Sequence, residues 1–395
     1  MSGTATGGAT SGVLRPAAFE EAIERTHALR LEVRAFLAEE LAAGRYAPRA
    51  DAWLAGWDES FSRRLGERGW LGMTLPVEYG GHGRSAIERF AVTEELLAAS
   101  APVAAHWIAD RQTAPSILRY GNEELRHAYL PGIARGEIYF GIGMSEPDSG
   151  SDLASVRTRG TQVEGGWMLS GTKVWTSGAH HANAFIVLAR TSPLDPKHRH
   201  AGLSQFIVDL TSTGVTINPI NLISGEHHFN EVVLADVFVP DSRVLGQIGD
   251  GWRQVTSELA YERSGPERLL STYPLLMLLT DSVARRDDGR GRIELGALLA
   301  RLTALREMSL NVAIGLAAGQ LMEVQAALVK DLGTTFEGDV VNVARTVLDE
   351  EPDLGSNDQL AHILAQAILH APGFTIRGGT NEILRGVIAR GMGVR

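Results

Sequence analysis

The feature that most constrains the fold is a change in hydrophobic period along the chain. From Phe19 onward, apolar residues recur at helical spacing with charged residues between them. Near Glu137 short runs of β character begin, separated by glycine, asparagine, aspartate and proline, and the helical period returns after Gly249-Asp250-Gly251. The pattern predicts an α+β protein with an N-terminal helical domain over 16–136, a central antiparallel β domain over 137–248 and a C-terminal helical domain over 249–395.

Composition narrows the classes of protein that this chain can be. At 395 residues it exceeds the usual size of one compact unit, so we expect two or three domains that share a large core. It contains no cysteine, which excludes disulfides, thiolate metal sites and cysteine nucleophiles. The formal net charge of -10 argues against a nucleic-acid partner, because binding phosphates requires a basic face.

Residues 1–15 are rich in glycine, threonine and serine and have no apolar stretch that could act as a signal peptide. We expect them to form a disordered tail. No later apolar run is long enough to span a bilayer. These patterns predict an acidic cytoplasmic enzyme that has no membrane partner.

Two polar runs, about one hairpin apart, carry the first functional signal. They are Met144-Ser145-Glu146-Pro147-Asp148-Ser149-Gly150-Ser151-Asp152 and Lys173-Val174-Trp175-Thr176-Ser177-Gly178. Hydroxyls and backbone N–H groups of the first run could hydrogen-bond a ring edge and a phosphate, and Trp175 would add a flat apolar wall. Each run alone is also typical of a solvated turn or a core tryptophan. Together they favour a flavin site.

The second helical segment contains a carboxylate on an apolar face. Val255, Leu259 and Glu262 stand at i, i+4 and i+7, which places the carboxylate beside two apolar side chains. A Gly-Pro pair follows at 265–266, so we expect the helix to kink or break beside Glu262. Burial raises a carboxyl pKa and the neighbouring Arg263 would lower it, so the pair could tune a base toward neutral pH. An ordinary solvated or ion-paired glutamate is the alternative interpretation.

Several short stretches, in this order along the chain, carry a resemblance to a known family: Tyr139-Phe140-Gly141-Ile142-Gly143-Met144-Ser145-Glu146-Pro147 with Gly150-Ser151-Asp152, Trp175-Thr176-Ser177, Phe229-Asn230-Glu231-Val232, Leu259-Ala260-Tyr261-Glu262-Arg263 and Gly378-Gly379-Thr380-Asn381-Glu382-Ile383. Together they resemble the acyl-CoA dehydrogenase family. Its fold is an N-terminal helical domain, a central β domain and a C-terminal helical bundle. Its members bind FAD without a Rossmann unit, and this chain likewise has no G-x-G-x-x-G turn between a strand and a helix.

The resemblance implies a set of cofactor and substrate residues in the β domain. It places Met144 and Ser145 near the flavin ring and the substrate thioester, and Ser151 near the FAD phosphates. Trp175 and Ser177 would flank the isoalloxazine, with Ser177 near N5.

The C-terminal motif departs from the straight-chain members of the family. These carry the catalytic base immediately before the Gly-Thr of the motif, where this chain has Gly378. Another branch, which includes isovaleryl-CoA dehydrogenase, carries the base on the helix after the β domain, and Glu262 matches that position. The resemblance therefore implies Glu262 as the catalytic base and Arg263 as a further substrate contact. Thr380 and Glu382 would meet the diphosphate and ribityl region of FAD.

A second departure concerns subunit assembly. The Arg-x-x-Phe-Gly segment, by which one subunit of the family often holds the FAD of its neighbour, is not recognisable around Arg285 to Leu295. The helices after Arg292 are rich in alanine and leucine, including Leu295 to Leu305 and Ala313 to Leu328. Such helices form an internal bundle or pack across subunits. The resemblance favours a homotetramer, or a heterotetramer in which a related chain completes the site.

The resemblance also implies a reaction. Glu262 would remove the α-proton of an acyl-CoA whose carbonyl is hydrogen-bonded, and the β-hydrogen would leave as hydride to flavin N5, which gives a trans-2-enoyl-CoA. An electron-transferring flavoprotein would then accept the electrons. A base on the middle helix favours a branched or bulky acyl group, such as a steroid side chain or ring fragment. The alternatives are a flavin oxidase or monooxygenase of the same fold, and a structural subunit of a heteromeric dehydrogenase.

Histidine pairs occur at 180–181 and 227–228, and neither has the spacing of a convergent metal site. Side chains of adjacent residues diverge in regular structure, so we predict hydrogen-bonding or surface roles and no metal. The run from Arg285 to Asp288 is typical of a solvated loop between helices.

Overall fold

The computed structural model describes residues 16–286 and 288–394, except for the side chains of residues 16–19 and 258–262. The predicted tail at 1–15 lies outside the described residues. The N-terminal part is helical, and it contains a π-helical segment at Ala109–Thr113. Its helices are α1 Pro16–Arg25, α2 His27–Ala42, α3 Ala52–Ala55, α4 Glu59–Glu67, α5 Ala86–Ala98, α6 Ala104–Ile108, α7 Ala114–Tyr120 and α8 Glu123–Ala134.

The middle of the chain forms a sheet and the C-terminal part is again helical. The strands are β1 Phe140–Gly143, β2 Arg159–Val163, β3 Gly166–Ser177, β4 Ala184–Arg190, β5 Leu203–Asp209, β6 Val215–Asn221, β7 His227–Pro240 and β8 Val244–Leu245. The later helices are α9 Gly251–Arg263, α10 Tyr273–Arg285, α11 Gly289–Ala317, α12 Glu323–Val347, α13 Gln359–Phe374 and α14 Asn381–Gly391. The predicted order of helical, extended and helical parts is confirmed.

The sheet is mostly, but not entirely, antiparallel. Its strand order is β6-β7-β3-β2-β4-β5-β8, and β1 pairs with β4 in parallel. β2 and β4 also meet in parallel, at Arg159 and Arg190. Parallel neighbours need a long crossover, and the β2–β3 hairpin supplies it between Gly143 and Ala184. The expectation of a purely antiparallel domain therefore needs this correction.

Burial explains the pattern of apolar and polar residues along the strands. β4 and β5 lie inside the sheet, are buried over nearly their whole length and read as continuous apolar runs. β6 lies at an edge, alternates between half-buried and exposed residues, and contains Pro219. The sheet thus presents a buried centre to the helices and a polar margin to solvent.

Local signals set several helix starts. Ser85 and Glu88 form a reciprocal capping box at α5, and Asn122, Asp358 and Thr380 cap α8, α13 and α14 with their side chains. The predicted boundaries between 136 and 137 and between 248 and 249 lie in the connections that flank the sheet, and they stay predictions. Within the described residues, no helix has the length and apolarity needed to cross a bilayer.

The two helical parts share one apolar core. Phe36, Trp70 and Trp107 of the N-terminal part belong to the same buried cluster as Leu279 and Phe336 of the C-terminal part. A second cluster joins α7 and α8 to β1, β4 and β5, and a third fills the opposite face of the sheet. The sheet and both helical parts are therefore held against one another by buried side chains, which fixes any site between them.

Candidate functional site

A buried lysine brings the two predicted polar runs together. Lys173 Nζ donates hydrogen bonds to the Met144 carbonyl oxygen at 3.1 Å and to Glu146 Oε1 at 2.8 Å. Beside it, the Val174 amide donates to the Ser145 carbonyl oxygen at 2.9 Å. Met144 and Ser145, two of the predicted flavin-site residues, are thus held directly against β3.

The Lys173–Glu146 pair is charged and inaccessible. Burial lowers the pKa of Lys173 to about 8, although Glu146 opposes that effect. Burial would raise the pKa of Glu146, but Lys173, Thr158 and the Arg157 amide together lower it. Glu146 accepts from the backbone amides of Arg157 and Thr158 at 2.7 and 2.8 Å. These bonds therefore tie the start of the loop between β1 and β2 to its end and to β3.

Trp175 is held in an unusual conformation on the same strand. Its φ of 62° lies in the left-handed region, at a register shift between Lys173 and Thr176. Its side chain is 55% exposed, and its ring meets that of Phe229 edge-on at 5.7 Å. A bulky residue in this region stores strain, and such strain is common at ligand sites. The bulge turns an aromatic surface outward where the resemblance predicts the flavin wall.

Ser177 and Ser151 lie in different surroundings. Ser177 pairs with Phe229 across β3 and β7 and lines a cavity of about 220 Å³ between the sheet and the N-terminal helices. Ser151 is exposed on the turn that follows the Glu146–Ser149 bridge. A Cβ at Gly150 would meet no atom within 4 Å, so there is open space beside this turn.

Helix α9 ends where the sequence predicts a break. Its last residue is Arg263, and a 3-10 turn begins at Pro266. The side chains of 258–262, including that of Glu262, lie outside the described residues. Arg263 Nε donates a hydrogen bond to the Gly378 carbonyl oxygen at 3.2 Å. The end of α9 is therefore in contact with the C-terminal motif.

The C-terminal motif is a left-handed turn followed by a helix. Gly378 and Gly379 have φ values of 69° and 87°, and the Thr380 side chain caps α14 by accepting from the Ile383 amide at 3.4 Å. Hydrogen bonds from the backbone and from Thr380 lower the pKa of the exposed Glu382. The amides of Asn381 and Ile383 are bonded within the chain, to the Thr375 carbonyl oxygen and to Thr380, so what this turn offers an anion is the positive end of the helix dipole.

A buried ionic network that no sequence motif indicates lies next to this turn. The guanidinium of Arg377 binds both oxygens of Asp51 at 2.5 and 2.6 Å, Ser271 Oγ at 2.7 Å and Glu337 Oε2 at 3.4 Å. It also lies over the Trp53 ring, 4.6 Å from the centroid. The network fixes the residue that directly precedes Gly378. Its only sequence signal is the presence of charged residues in apolar stretches.

His370 extends this network to the sheet. It contacts Asp51 at 3.3 Å and Glu226 at 2.6 Å, and Glu226 also binds Arg49. Burial would lower the pKa of His370, but the hydrogen bonds to the two carboxylates raise it to about 9. His370 is therefore a buried cation that links α13 to the β6–β7 turn.

The two histidine pairs meet, and the adjacent side chains of His180 and His181 do not diverge as predicted, because their ring centroids are 4.0 Å apart. The rings of His180 and His227 stack with centroids 4.0 Å apart, because the start of β7 lies beside the end of β3. Asn230 joins them through contacts of 3.0 Å to His180 Nδ1 and 2.8 Å to His227 Nε2. The predicted hydrogen-bonding role is confirmed for His180 and His227, whereas Nε2 of the buried His228 has no hydrogen-bond partner among the described residues. Among residues 16–286 and 288–394, the structure shows no cluster of three or more acidic or histidine side chains suited to a metal ion.

Comparison with known proteins identifies the fold and family. The N-terminal, middle and C-terminal domains of the acyl-CoA dehydrogenases match residues 23–137, 141–237 and 249–393. The chain belongs to the acyl-CoA dehydrogenase family. The predicted family and fold are therefore confirmed, and the family is one of oxidoreductases. The positions of the catalytic glutamate and of the cofactor residues stay predictions.

Two acyl-CoA dehydrogenase relatives from Mycobacterium tuberculosis differ in length. Acyl-CoA dehydrogenase FadE34 is 36% identical over 340 residues, which are 82% of this chain and 44% of FadE34. The chain therefore spans less than half of FadE34. Acyl-CoA dehydrogenase IpdE1 is 32% identical over 372 residues, 91% of this chain and 95% of IpdE1.

Solved structures of the family superpose along nearly the whole chain. The steroid ACAD Tcur3481-Tcur3483 is 31% identical with a TM-score of 0.84, covering 97% of this chain and 99% of that chain. The ChsE4-ChsE5 complex from M. tuberculosis is 27% identical with a TM-score of 0.77, covering 97% of this chain and 99% of that chain.

Proposed function

We propose that this chain catalyses FAD-dependent α,β-dehydrogenation of an acyl-CoA thioester to a trans-2-enoyl-CoA, with Glu262 as the base that removes the α-proton. The observation that carries the proposal is the hydrogen bond from Arg263 to the Gly378 carbonyl oxygen. It joins the end of α9, which bears Glu262, to the motif in which straight-chain members carry the base. A carboxylate on either segment therefore belongs to the same region.

The described residues fit a bound FAD in several respects. Trp175 presents an exposed ring from a strained backbone, and α14 presents the positive end of its dipole to a diphosphate. A Cβ at Gly379 would lie 3.3 Å from Arg263 Nη2, so the absence of a side chain at Gly379 lets Arg263 lie close to this turn. When bound, FAD accepts the β-hydrogen of the substrate as hydride.

The protein residues have separate parts in the proposed reaction. Glu262 takes the α-proton, and Ser145 and Arg263 contact the substrate. The Lys173–Glu146 pair keeps Met144 and Ser145 in position against β3, because a preorganised site stabilises enolate charge without rearranging. Arg377 and its carboxylates hold the backbone that leads into Gly378.

Spectroscopy of the purified chain tests the proposed function. We expect FAD absorbance in the protein, loss of that absorbance when an acyl-CoA is added without oxygen, and an enoyl-CoA product. Electron-transferring flavoprotein, the proposed acceptor, should restore the oxidised spectrum, whereas rapid oxygen consumption would indicate an oxidase. FAD that remains oxidised with every acyl-CoA tested would contradict the proposal.

A second candidate function is that of a subunit that completes the FAD site of a related chain. One observation favours it: a structural relative, 27% identical, is a complex of two different chains, ChsE4 and ChsE5. The missing Arg-x-x-Phe-Gly segment agrees with this role. Co-expression with candidate partner chains distinguishes the two functions, because a completing subunit would bind FAD only in the mixed assembly.

A further inference from the structure

A cavity of about 590 Å³ between the N-terminal and C-terminal helices is rich in arginine. Its walls come from α5, α7, α9, α11 and the loop before α5. Its described lining residues include no aspartate or glutamate, although the chain as a whole has a net charge of -10. Four arginines line it: Arg84, Arg89, Arg111 and Arg119.

Arg111 is built into the cavity wall. Its side chain is only 11% exposed and lies over the Trp107 ring, 4.8 Å from the centroid. Its contacts to Thr93 and Glu267, at 3.3 to 3.4 Å, are near the long limit of a hydrogen bond. It also lies within the π-helical segment, and such local widenings of a helix are frequent at functional sites.

The rest of the lining combines apolar and hydroxyl groups. Leu75, Phe90 and Leu316 supply apolar surface, and Tyr120 bonds Ser257 at 2.8 Å between their oxygen atoms. Ser257, Ser264 and Gly265 line the cavity as well, and Glu262 lies between them in sequence. The cavity thus adjoins the end of α9. Hydrocarbon walls with a cationic part suit a carbon chain that carries one acid group better than they suit a diphosphate.

We propose that this cavity binds a carboxylate on the acyl group, so that the preferred substrates are acyl-CoA thioesters with an acid function remote from the thioester. The inference rests on the proposed function, which puts α-proton removal at the end of α9. Guanidinium groups suit this task because their planar donors match the two oxygens of a carboxylate. Arg84 and Arg119 line the cavity from two different elements, the loop before α5 and α7.

The test compares thioesters that differ only at the end of the acyl chain: adipoyl-CoA with hexanoyl-CoA, and sebacoyl-CoA with decanoyl-CoA. Calorimetric titration of the FAD-loaded protein measures the affinities. In one or both pairs, the thioester that carries the terminal carboxylate should bind at least ~10-fold more tightly than its partner, as expected for a charge-assisted hydrogen bond. The double variant Arg84→Gln, Arg119→Gln should reduce this preference below ~3-fold. Arg63→Gln, at a surface position paired with Glu59, should keep it. Arg119→Gln alone changes an exposed position and replaces the double variant if that fails to fold.

Equal affinities within both pairs would overturn the inference, as would a preference that survives in the double variant. If the double variant binds both members of a pair with the same loss of affinity, and thioesters of dephospho-CoA show no such loss, the arginines bind the CoA phosphate. That result would also overturn the inference. Flavin reduction is recorded separately. Reduction without any preference for the acid contradicts this inference alone, whereas a preference without reduction contradicts the proposed function alone.

Discussion

Arg263 on α9 donates a hydrogen bond from Nε to the carbonyl oxygen of Gly378, 3.2 Å away and 115 residues later in the chain. The contact joins the two segments that carry the catalytic base in different branches of the family. Loss of a carboxylate at 378 and its presence at 262 are therefore compatible with one active site. We propose that Glu262 acts in the region that Arg263 reaches.

Trp175→Ala should alter the flavin environment while the fold persists. The ring is 55% exposed, so its removal takes little from the core, yet it removes the aromatic surface proposed to cover the flavin. Flavin absorbance, FAD retention and circular dichroism measure these effects. Trp175→Phe is the control, because it keeps a ring at the same backbone position. An unchanged flavin spectrum and FAD affinity in the alanine variant would place Trp175 outside the site.

Lys173→Met should reduce the free energy of unfolding by roughly 3–5 kcal/mol, because it leaves the Glu146 carboxylate buried without its cation. Urea unfolding followed by circular dichroism provides the measurement. Arg157→Met is the matched control: Arg157 pairs with Asp148 at 3.4 Å between side chains that are 80% and 77% exposed. Its loss should change the stability by less than about 1 kcal/mol. Similar effects for the two variants would contradict the importance of the buried pair.

Sequence periodicity predicts the order of the three parts, because the hydrophobic period depends on neighbours within one element. The motifs also predict that Ser145 and the Trp175 strand lie together, as the Val174–Ser145 hydrogen bond confirms. The pairing of β1 with β4 and the bond from Arg377 to Asp51 join residues far apart in the chain. No local pattern encodes such partners, so sequence reasoning missed both.

The stability of the protein should fall as the pH rises through about 9, because the pKa of His370 is raised to about 9 in the folded chain. A group whose pKa is raised on folding stabilises the protein fully at a pH below its unfolded pKa, which is about 6.5 for histidine. The stabilisation is lost at a pH above the folded pKa, and the free energy of unfolding changes by at most roughly 3 kcal/mol. His370→Gln should flatten the dependence between these pH values. His362→Gln, on the same helix, is the control and should keep it. Parallel pH profiles for the parent and His370→Gln would contradict the role of His370.

The chain should assemble as a dimer of dimers or with a related chain. The predicted segment from Ala313 to Leu328 is divided in the structure, since α11 ends at Ala317 and α12 begins at Glu323. Large apolar side chains on these helices remain exposed, with Ile293, Leu299 and Leu332 at 75%, 41% and 44%. Subunit contact would cover them. Light scattering with and without FAD measures the mass, and a stable monomer that holds stoichiometric FAD would refute the assembly and the shared site.

The most direct test of the proposed mechanism is the rate of flavin reduction by acyl-CoA in Glu262→Gln under anaerobic conditions. Glutamine keeps the size of the side chain and removes its ability to take a proton, so FAD binding should persist. Reduction should slow by ~10²-fold or more, the range expected when general base catalysis is lost. Equal reduction rates in the variant and the parent would contradict Glu262 as the base.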